Sequence, residues 1–370
     1  MPDTFTLGQN YDVTGIAPDM LATVLEDDWL MNLAPPKFSD TSLVVWEMPE
    51  NGYGLLSLKG EGAHPDVTDV PGYRRMTMAP GYYGETVLIK EDEMNNAREI
   101  GSTHEPMDIE KRVGYIQEQI VKRSFDRMRT LVSALARTGQ FLVTRTDGAV
   151  THTDTLEGYS SRNVFTPGVS WSLSGTATPI DDLQTWRNQL QLGTDSRFDE
   201  NSELGMSSPT LTDLLATAQV RSQIKIDYGN SVASLKKLNE LLAGYNLPKI
   251  VLYDDSYYAT KAAAVARTGA VRFIPAKSFI WKGYRKDSSP VAEFQLTRNS
   301  VKDAMAGDAQ LAPGYEWAPK GRTAVGGEIA KGMYTLLQRQ LIPAQYRVDI
   351  GFNGGIAVKY PSAWAGGSYT

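Results

Sequence analysis

The stretch from Pro106 to Thr138 constrains this chain more than any other, because it reads as one uninterrupted amphipathic helix. Pro106 suits a first helical position, Asp108 and Glu110 stand where the helix dipole favours acids, Arg137 falls in the last turn, and Gly139 is placed as a left-handed cap. Apolar residues run Ile109, Val113, Ile116 and Ile120, slip by one residue, and continue Val121, Phe125, Met128, Val132 and Leu135. That spacing keeps one face apolar over about 33 residues, a rod of roughly 50 Å. Such a rod is longer than a small domain is wide, so several modules must be built along it. The opposite face carries Lys111, Arg112, Glu118, Lys122, Arg123, Asp126, Arg127 and Arg129, which predicts a solvated surface or a contact with a partner.

Before the rod, Pro18 to Asn32 predicts a short helix with Met20, Leu21, Val24 and Leu25 on one side, Trp29 continuing the stripe and Pro35-Pro36 stopping it. An arm of this size buries little core by itself. Strand-like pieces follow at Leu43 to Met48, Leu55 to Lys59, Tyr73 to Met78 and Glu85 to Lys90, with turn chemistry at Asn51-Gly52, Lys59-Gly60-Glu61-Gly62 and Ala79-Pro80-Gly81. They predict a long hairpin, either packed on the edge of its own domain or reaching onto a neighbouring subunit. Past the rod, Phe141 to Thr146, Asn163 to Thr166 and Val169 to Ser174 read as strands. From about residue 175 to 320 the pattern is an α/β module with its own core. Its helices are read at Pro179 to Leu192, Pro209 to Gln223 with Ser208 as N-cap, Ser231 to Ala243, and Ser256 to Thr268. Its strands are read at Lys249 to Asp254, Val271 to Ile274 and Ser278 to Lys282, and extended structure returns at Met333 to Gln338, Tyr346 to Phe352 and Gly355 to Tyr360.

The 37 lysines and arginines against 43 acids give a net charge of −6 over 370 residues, which argues against a dedicated nucleic-acid binder. With no cysteine there is no disulfide frame, thiolate metal site or cysteine nucleophile. No apolar run is long enough to cross a membrane, and Met1 to Asn10 lacks the look of a signal peptide, so a soluble chain made in a reducing cytoplasm is expected. His64, His104 and His152 form no pair at metal-ligand spacing, and the signatures for acyl transfer, nucleotide phosphates and dinucleotides are missing. The pairs Asp181-Asp182 and Asp254-Asp255 fit a helix dipole and a strand end, and Trp171, Trp186, Trp281, Trp317 and Trp364 read as core or interface anchors. No catalytic, cofactor-binding or metal residue is predicted.

Four segments carry a resemblance in their order and spacing: Met20 to Leu33; Lys59-Gly60-Glu61-Gly62 followed by Pro71-Gly72-Tyr73; Phe273-Ile274-Pro275-Ala276-Lys277-Ser278-Phe279-Ile280; and Val358-Lys359-Tyr360-Pro361-Ser362-Ala363-Trp364. With the rod between them, the chain resembles the tailed-phage major capsid protein of the lambda-type branch, major capsid protein E. The resemblance implies an α+β, Hong Kong 97-like phage capsid fold. Its parts would be an N-terminal arm (1–45), an extended β-hairpin loop (46–92), a peripheral domain (93–175) with spine helix 106–138, an α/β axial domain (176–322) and return strands (323–370). It implies a structural subunit and not an enzyme, one that assembles with itself as pentamers and hexamers into the icosahedral shell of a tailed double-stranded DNA phage. Procapsid assembly and later expansion belong to it, with glycines near Gly101, Gly139 and Gly148 absorbing changes of tilt. The implied partners are a portal, a decoration protein, packaged DNA held without specificity, and a separate scaffolding protein, since the extended loop begins by residue 46. The implied location is the virion, assembled in the host cytoplasm without a membrane. Lys59 is the position for a covalent cross-link of the kind found in one branch, although no matched asparagine and glutamate partners are seen. A nanocompartment shell loaded with an enzyme, and a carbohydrate-active protein, are the alternatives.

Overall fold

The computed structural model describes residues 28–39, 41, 43–49, 72–90, 92, 109–144, 150–156, 158–192, 194–228, 233–297, 333–341 and 344–370. In chain order its strands are β1 (Pro36–Ser39), β2 (Val44–Pro49), β3 (Tyr73–Met78), β4 (Gly81–Lys90), β5 (Gln140–Thr144), β6 (Val150–Thr155), β7 (Val164–Phe165), β8 (Ser196–Arg197) and β9 (Glu203–Met206). They continue as β10 (Lys249–Leu252), β11 (Ser256–Tyr258), β12 (Ala270–Arg272), β13 (Ser278–Lys282), β14 (Tyr284–Arg285), β15 (Ala292–Thr297), β16 (Met333–Leu341), β17 (Ala344–Val358) and β18 (Trp364–Ser368). The helices are α1 (Ile109–Thr138), α2 (Tyr159–Arg162), α3 (Pro179–Gln191), α4 (Ser208–Ala216), α5 (Ala218–Tyr228), α6 (Leu235–Gly244) and α7 (Lys261–Ala266).

Helix α1 is the rod that the sequence predicts, 30 residues long from Ile109; the expected start at Pro106 to Asp108 lies outside the described residues. Ile120, Val121, Phe125, Met128, Leu131, Val132, Leu135 and Ala136 are buried along it. Gly139 caps it at φ 72°, its N–H donating to the Leu135 carbonyl at 2.7 Å. This glycine is packed beneath the Tyr159 ring, whose hydroxyl donates to the Ala136 carbonyl at 2.6 Å. Gly101 and Gly148 lie outside the described residues.

Two sheets cover this rod. In one, the order is β1-β15-β17-β16, with β4 also paired to β17; in the other it is β10-β9-β13-β18-β7. The second sheet is packed on both faces, and two of its strands, β9 and β18, are absent from the sequence reading. Ile280 and Trp364 face the core around α1, whereas their neighbours Phe279, Trp281 and Ala365 face a second core under α3 to α6. That second core is an aromatic stack in which Trp186 lies 5.1 Å from Phe165 and 5.3 Å from Phe279, and Trp171 lies 5.3 Å from Phe279. The indole nitrogens of Trp171 and Trp281 donate to Asp182 and Ser202, both at 2.9 Å, so these tryptophans are core anchors. Trp317 lies outside the described residues.

Several elements depart from the sequence reading. Ser256 to Thr268 is not one helix: β11 pairs antiparallel with β12, and only α7 is helical, started by Thr260 Oγ1 accepting from Ala263 N–H and ended by Arg267 at φ 51°. Tyr257 is the cause, stacked on Phe273 at 5.2 Å and holding its strand extended. The predicted helix Pro209 to Gln223 breaks at Thr217, whose hydroxyl turns back to the Leu214 carbonyl while Ala218 N–H donates to the Ser174 carbonyl. Its N-cap position is Ser207, not Ser208. Val169 to Ser174 is a turn anchored by buried Trp171 and closed by Leu173 N–H on the Ser170 carbonyl, not a strand. Tyr346 to Phe352 and Gly355 to Tyr360 are not separate, because Gly354 and Gly355 carry the single strand β17 close beneath Gln295 and Met78.

A Cβ on Gly366 would stand 2.5 Å from both the Ala136 carbonyl oxygen and Arg137 Cα, so β18 lies directly on the end of α1. Gly366→Ala is expected to cost about 1–3 kcal/mol by overpacking. Gly175→Ala, where nothing lies within 4 Å, is expected to leave the thermal midpoint unchanged. Equal melting of the two variants would show that β18 and α1 do not touch.

Candidate assembly interface

Residues 28–34, the end of the predicted arm, form a turn and not the last turns of a helix. Asp28 is only 5% exposed and accepts from Leu30 N–H at 2.9 Å, Met31 N–H at 3.3 Å, the Tyr253 hydroxyl at 3.1 Å and Arg129 Nε. A carboxylate that caps the turn after it starts a new local structure at that point. The predicted stripe from Met20 to Leu25 lies outside the described residues, and Trp29 stands within this turn. Its ring covers Gly205, where a Cβ would come within 2.2 Å, and its Nε1 donates to Glu203 at 2.8 Å.

Arg129, expected on the solvated face of the rod, is turned inward. Its side chain is 14% exposed, bonded to Asp28 and, at 2.8 Å, to Asp126, with Cζ 5.6 Å from the Phe273 ring centre. Burial works against its charge, but Asp28 and Tyr253 outweigh that and raise its pKa. Burial also lifts the Asp126 carboxyl above the usual aspartate range, against the pull of Arg129. Two residues of that face meet β4: Arg123 pairs with Glu85 at 2.5 Å, and Arg127 lies 5.2 Å over the Tyr83 ring, whose hydroxyl is pushed up to about 12 by burial with Arg127 opposing. Lys122 is exposed.

The foot of the predicted hairpin belongs to the subunit's own core. β2 and β3 pair antiparallel from Val44↔Met78 to Pro49↔Tyr73, with Val44, Trp46 and Met78 buried. The Gln295 amide clamps the Val45 backbone, accepting from its N–H at 3.1 Å and donating to its carbonyl at 3.0 Å. β4 pairs with β17 from Lys90↔Gln345 to Gly81↔Gly354. The tip, with Asn51-Gly52 and Lys59, lies outside the described residues.

In the α/β module β11, α7 and β12 are the exposed part, and no residue from 256 to 272 is buried. At their foot Asp254 accepts from Ser208 N–H at 2.8 Å and from its hydroxyl, and pairs with Arg272 at 3.4 Å. Burial works against the Asp254 charge, but these bonds prevail and hold its carboxyl below the usual range. Both aspartate pairs thus serve structure: Asp254 caps α4, and Asp182 receives the Trp171 indole. His64 and His104 lie outside the described residues, and His152 contributes a strand position opposite Val143. A cleft of about 250 Å³ beside α2 holds Arg285, 3.9 Å from the Tyr360 ring centre, and Lys359. Both cations are already met, by Asp287 at 3.2 Å and Glu293 at 2.8 Å. Among the described residues no group of three histidines or acids is placed to hold a metal, and no helix is long and apolar enough to cross a membrane.

The described residues thus show a long helix packed against two sheets, a hairpin whose foot is held in the core, and a projection without a buried residue. The sequence profile of phage major capsid protein E matches residues 39–300, and the chain belongs to that family. It is a shell-forming major capsid protein of the virion, with a fold of mixed helix and strand. No curated protein sequence matches it. Among solved structures it is similar to the capsid of Myoviridae phage XM1, at 13% identity and TM-score 0.49 over 92% of this chain and 91% of that one. It is similar also to the capsid of a native GTA particle, at 11% and 0.49 over 95% and 90%, and to a putative prophage capsid protein of E. coli CFT073, at 11% and 0.47 over 96% and 99%. The family match, and not these superpositions, carries the assignment.

Arg129→Ala is expected to leave the Asp28 carboxylate buried without its cation and to lower stability by about 3–5 kcal/mol in urea unfolding. A loss below about 1 kcal/mol would mean that water reaches Asp28. For Asp254 the folded pKa is depressed, so its cap stabilises above the unfolded aspartate value and is lost as pH falls through the folded one. Asp254→Asn should therefore cost about 1 kcal/mol at pH 7, and the gap between variant and parent should close as pH falls below about 4. A gap independent of pH would refute the cap.

Proposed function

We propose that this capsid subunit assembles as pentamers and hexamers into a procapsid that later expands around the double-stranded DNA of a tailed phage. The observation that carries the reading is the family match over residues 39–300. The division into arm 1–45, extended loop 46–92, peripheral domain 93–175, axial domain 176–322 and return strands 323–370 belongs to the same proposal. So do a scaffolding protein, a portal, a decoration protein, non-specific contact with DNA and assembly in the host cytoplasm. The role is structural: small contacts spread over several neighbours let a misplaced subunit leave while the closed shell stays together.

The geometry supports a cantilever. With Met78 of β3 and Ile89 of β4 buried, a cut from Asn51 to Tyr83 would remove Met78, the whole partner strand of β2 and the first residues of β4, so the removable piece is residues 51–71. Because Pro49 and Tyr73 are paired, an Asn-Gly turn can close the shortened hairpin. This variant is expected to melt within a few degrees of the parent yet to build no shells by negative-stain microscopy when co-expressed with its scaffolding protein. Normal shells would show that the tip embraces no neighbour; a collapsed melt would show that it belongs to the subunit's own core. Purified parent particles that hold protein cargo in place of nucleic acid would favour the nanocompartment reading.

A further inference from the structure

Two arginines of α1 turn inward, about two turns apart, and only one of them is met. Arg129 reaches Asp28 and Asp126. Arg137 is half-buried as well, yet among the described residues no acid pairs with it and no hydrogen bond holds it. Its Nε is shut off from water without a partner, whereas the two amino nitrogens are not enclosed. Burial alone acts on this guanidinium and lowers its pKa, with no acid opposing, in contrast to Arg129. A helix end attracts a cation, but that attraction is met by a side chain standing in water and does not account for one drawn inward.

The position is also fixed. β18 lies on the backbone of Arg137 at Gly366, and one turn back the Ser133 hydroxyl donates to the Phe273 carbonyl. The helix end therefore cannot shift to release the side chain without breaking those contacts. A guanidinium whose inner edge is enclosed and whose outer fork is open presents two parallel N–H donors, the geometry that a carboxylate meets with two hydrogen bonds. Left unpaired, such a cation costs the free subunit stability, and an anion arriving from outside recovers it. A subunit that forms shells meets copies of itself, and each copy carries exposed acids such as Asp181, Glu200 and Glu240. A nucleic-acid phosphate would also suit the fork, but the chain's net charge of −6 works against its approach.

We propose that Arg137 is one side of an intersubunit ion pair, completed in the shell by a carboxylate of a second copy of this chain. The proposal rests on the shell-forming role and goes beyond it in placing a contact that the free subunit leaves incomplete. Arg137→Met keeps an unbranched stem and removes the charge. In urea unfolding of the full-length unassembled subunit, its midpoint should equal or exceed that of the parent. Its yield of shells, co-expressed with the scaffolding protein, should fall at least about tenfold. A lower midpoint would make Arg137 a residue of the subunit's own fold, and a parental yield would show that no neighbour meets it; either overturns the proposal. An arginine-selective dicarbonyl reagent, read by peptide mass, identifies the partner. In the parent, Arg137 should react in the free subunit and be protected in shells that hold no DNA. Protection confined to DNA-filled shells would assign the fork to phosphate, and protection in neither would leave it unmet; both overturn the proposal. The parent's own shells test the capsid reading separately, so failure of this contact leaves that reading standing.

Discussion

The apolar face of α1 is the surface on which the rest of the subunit depends. It is broad because Leu131 and Ala136 join the predicted stripe, so two sheets can lie against one helix. Close approach makes that possible. Gly366 lets β18 touch the backbone of Ala136 and Arg137, and Gly367 lets the same strand pass against the Phe165 carbonyl. With β18 so near, Trp364 turns to α1 and Ala365 to the second core, and one strand joins the two halves of the molecule.

The junction of arm, rod and α/β module is polar. Asp28, Arg129, Asp126 and Tyr253 satisfy one another in a place that water scarcely reaches. Such a cluster adds little net stability over an apolar packing of the same volume, since its desolvation offsets much of its attraction. What it provides is a single way for three segments to meet, because each wrong arrangement leaves a charge unpaired.

Local signals were legible in the sequence where they were self-contained. The course of α1, its glycine cap, α3 and β13 follow from periodicity and caps alone. Arg129 was not legible, because an arginine on the polar side of a helix looks the same whether it meets water or a carboxylate more than a hundred residues away. Tyr257 hid a strand inside an alanine-rich helical pattern for the same reason: the stacking on Phe273 that keeps it extended is tertiary. Gly354-Gly355 resembled a break because a glycine for a turn and a glycine for a close approach are the same letter. Of the candidate interface, the rod and the strands at the hairpin's foot were legible, and where they join was not.

The pairing of β4 with β17 has a mechanical side. Backbone tension from the hairpin passes along β3, through Ala79-Pro80, into the end of β4 at Gly81. From there it runs parallel to a ladder that holds from Gly81↔Gly354 to Lys90↔Gln345. Force applied along antiparallel strands is shared by all their hydrogen bonds at once, whereas force across them breaks one at a time. A load that enters β4 along its own axis is therefore carried in shear, the direction in which a sheet gives way last.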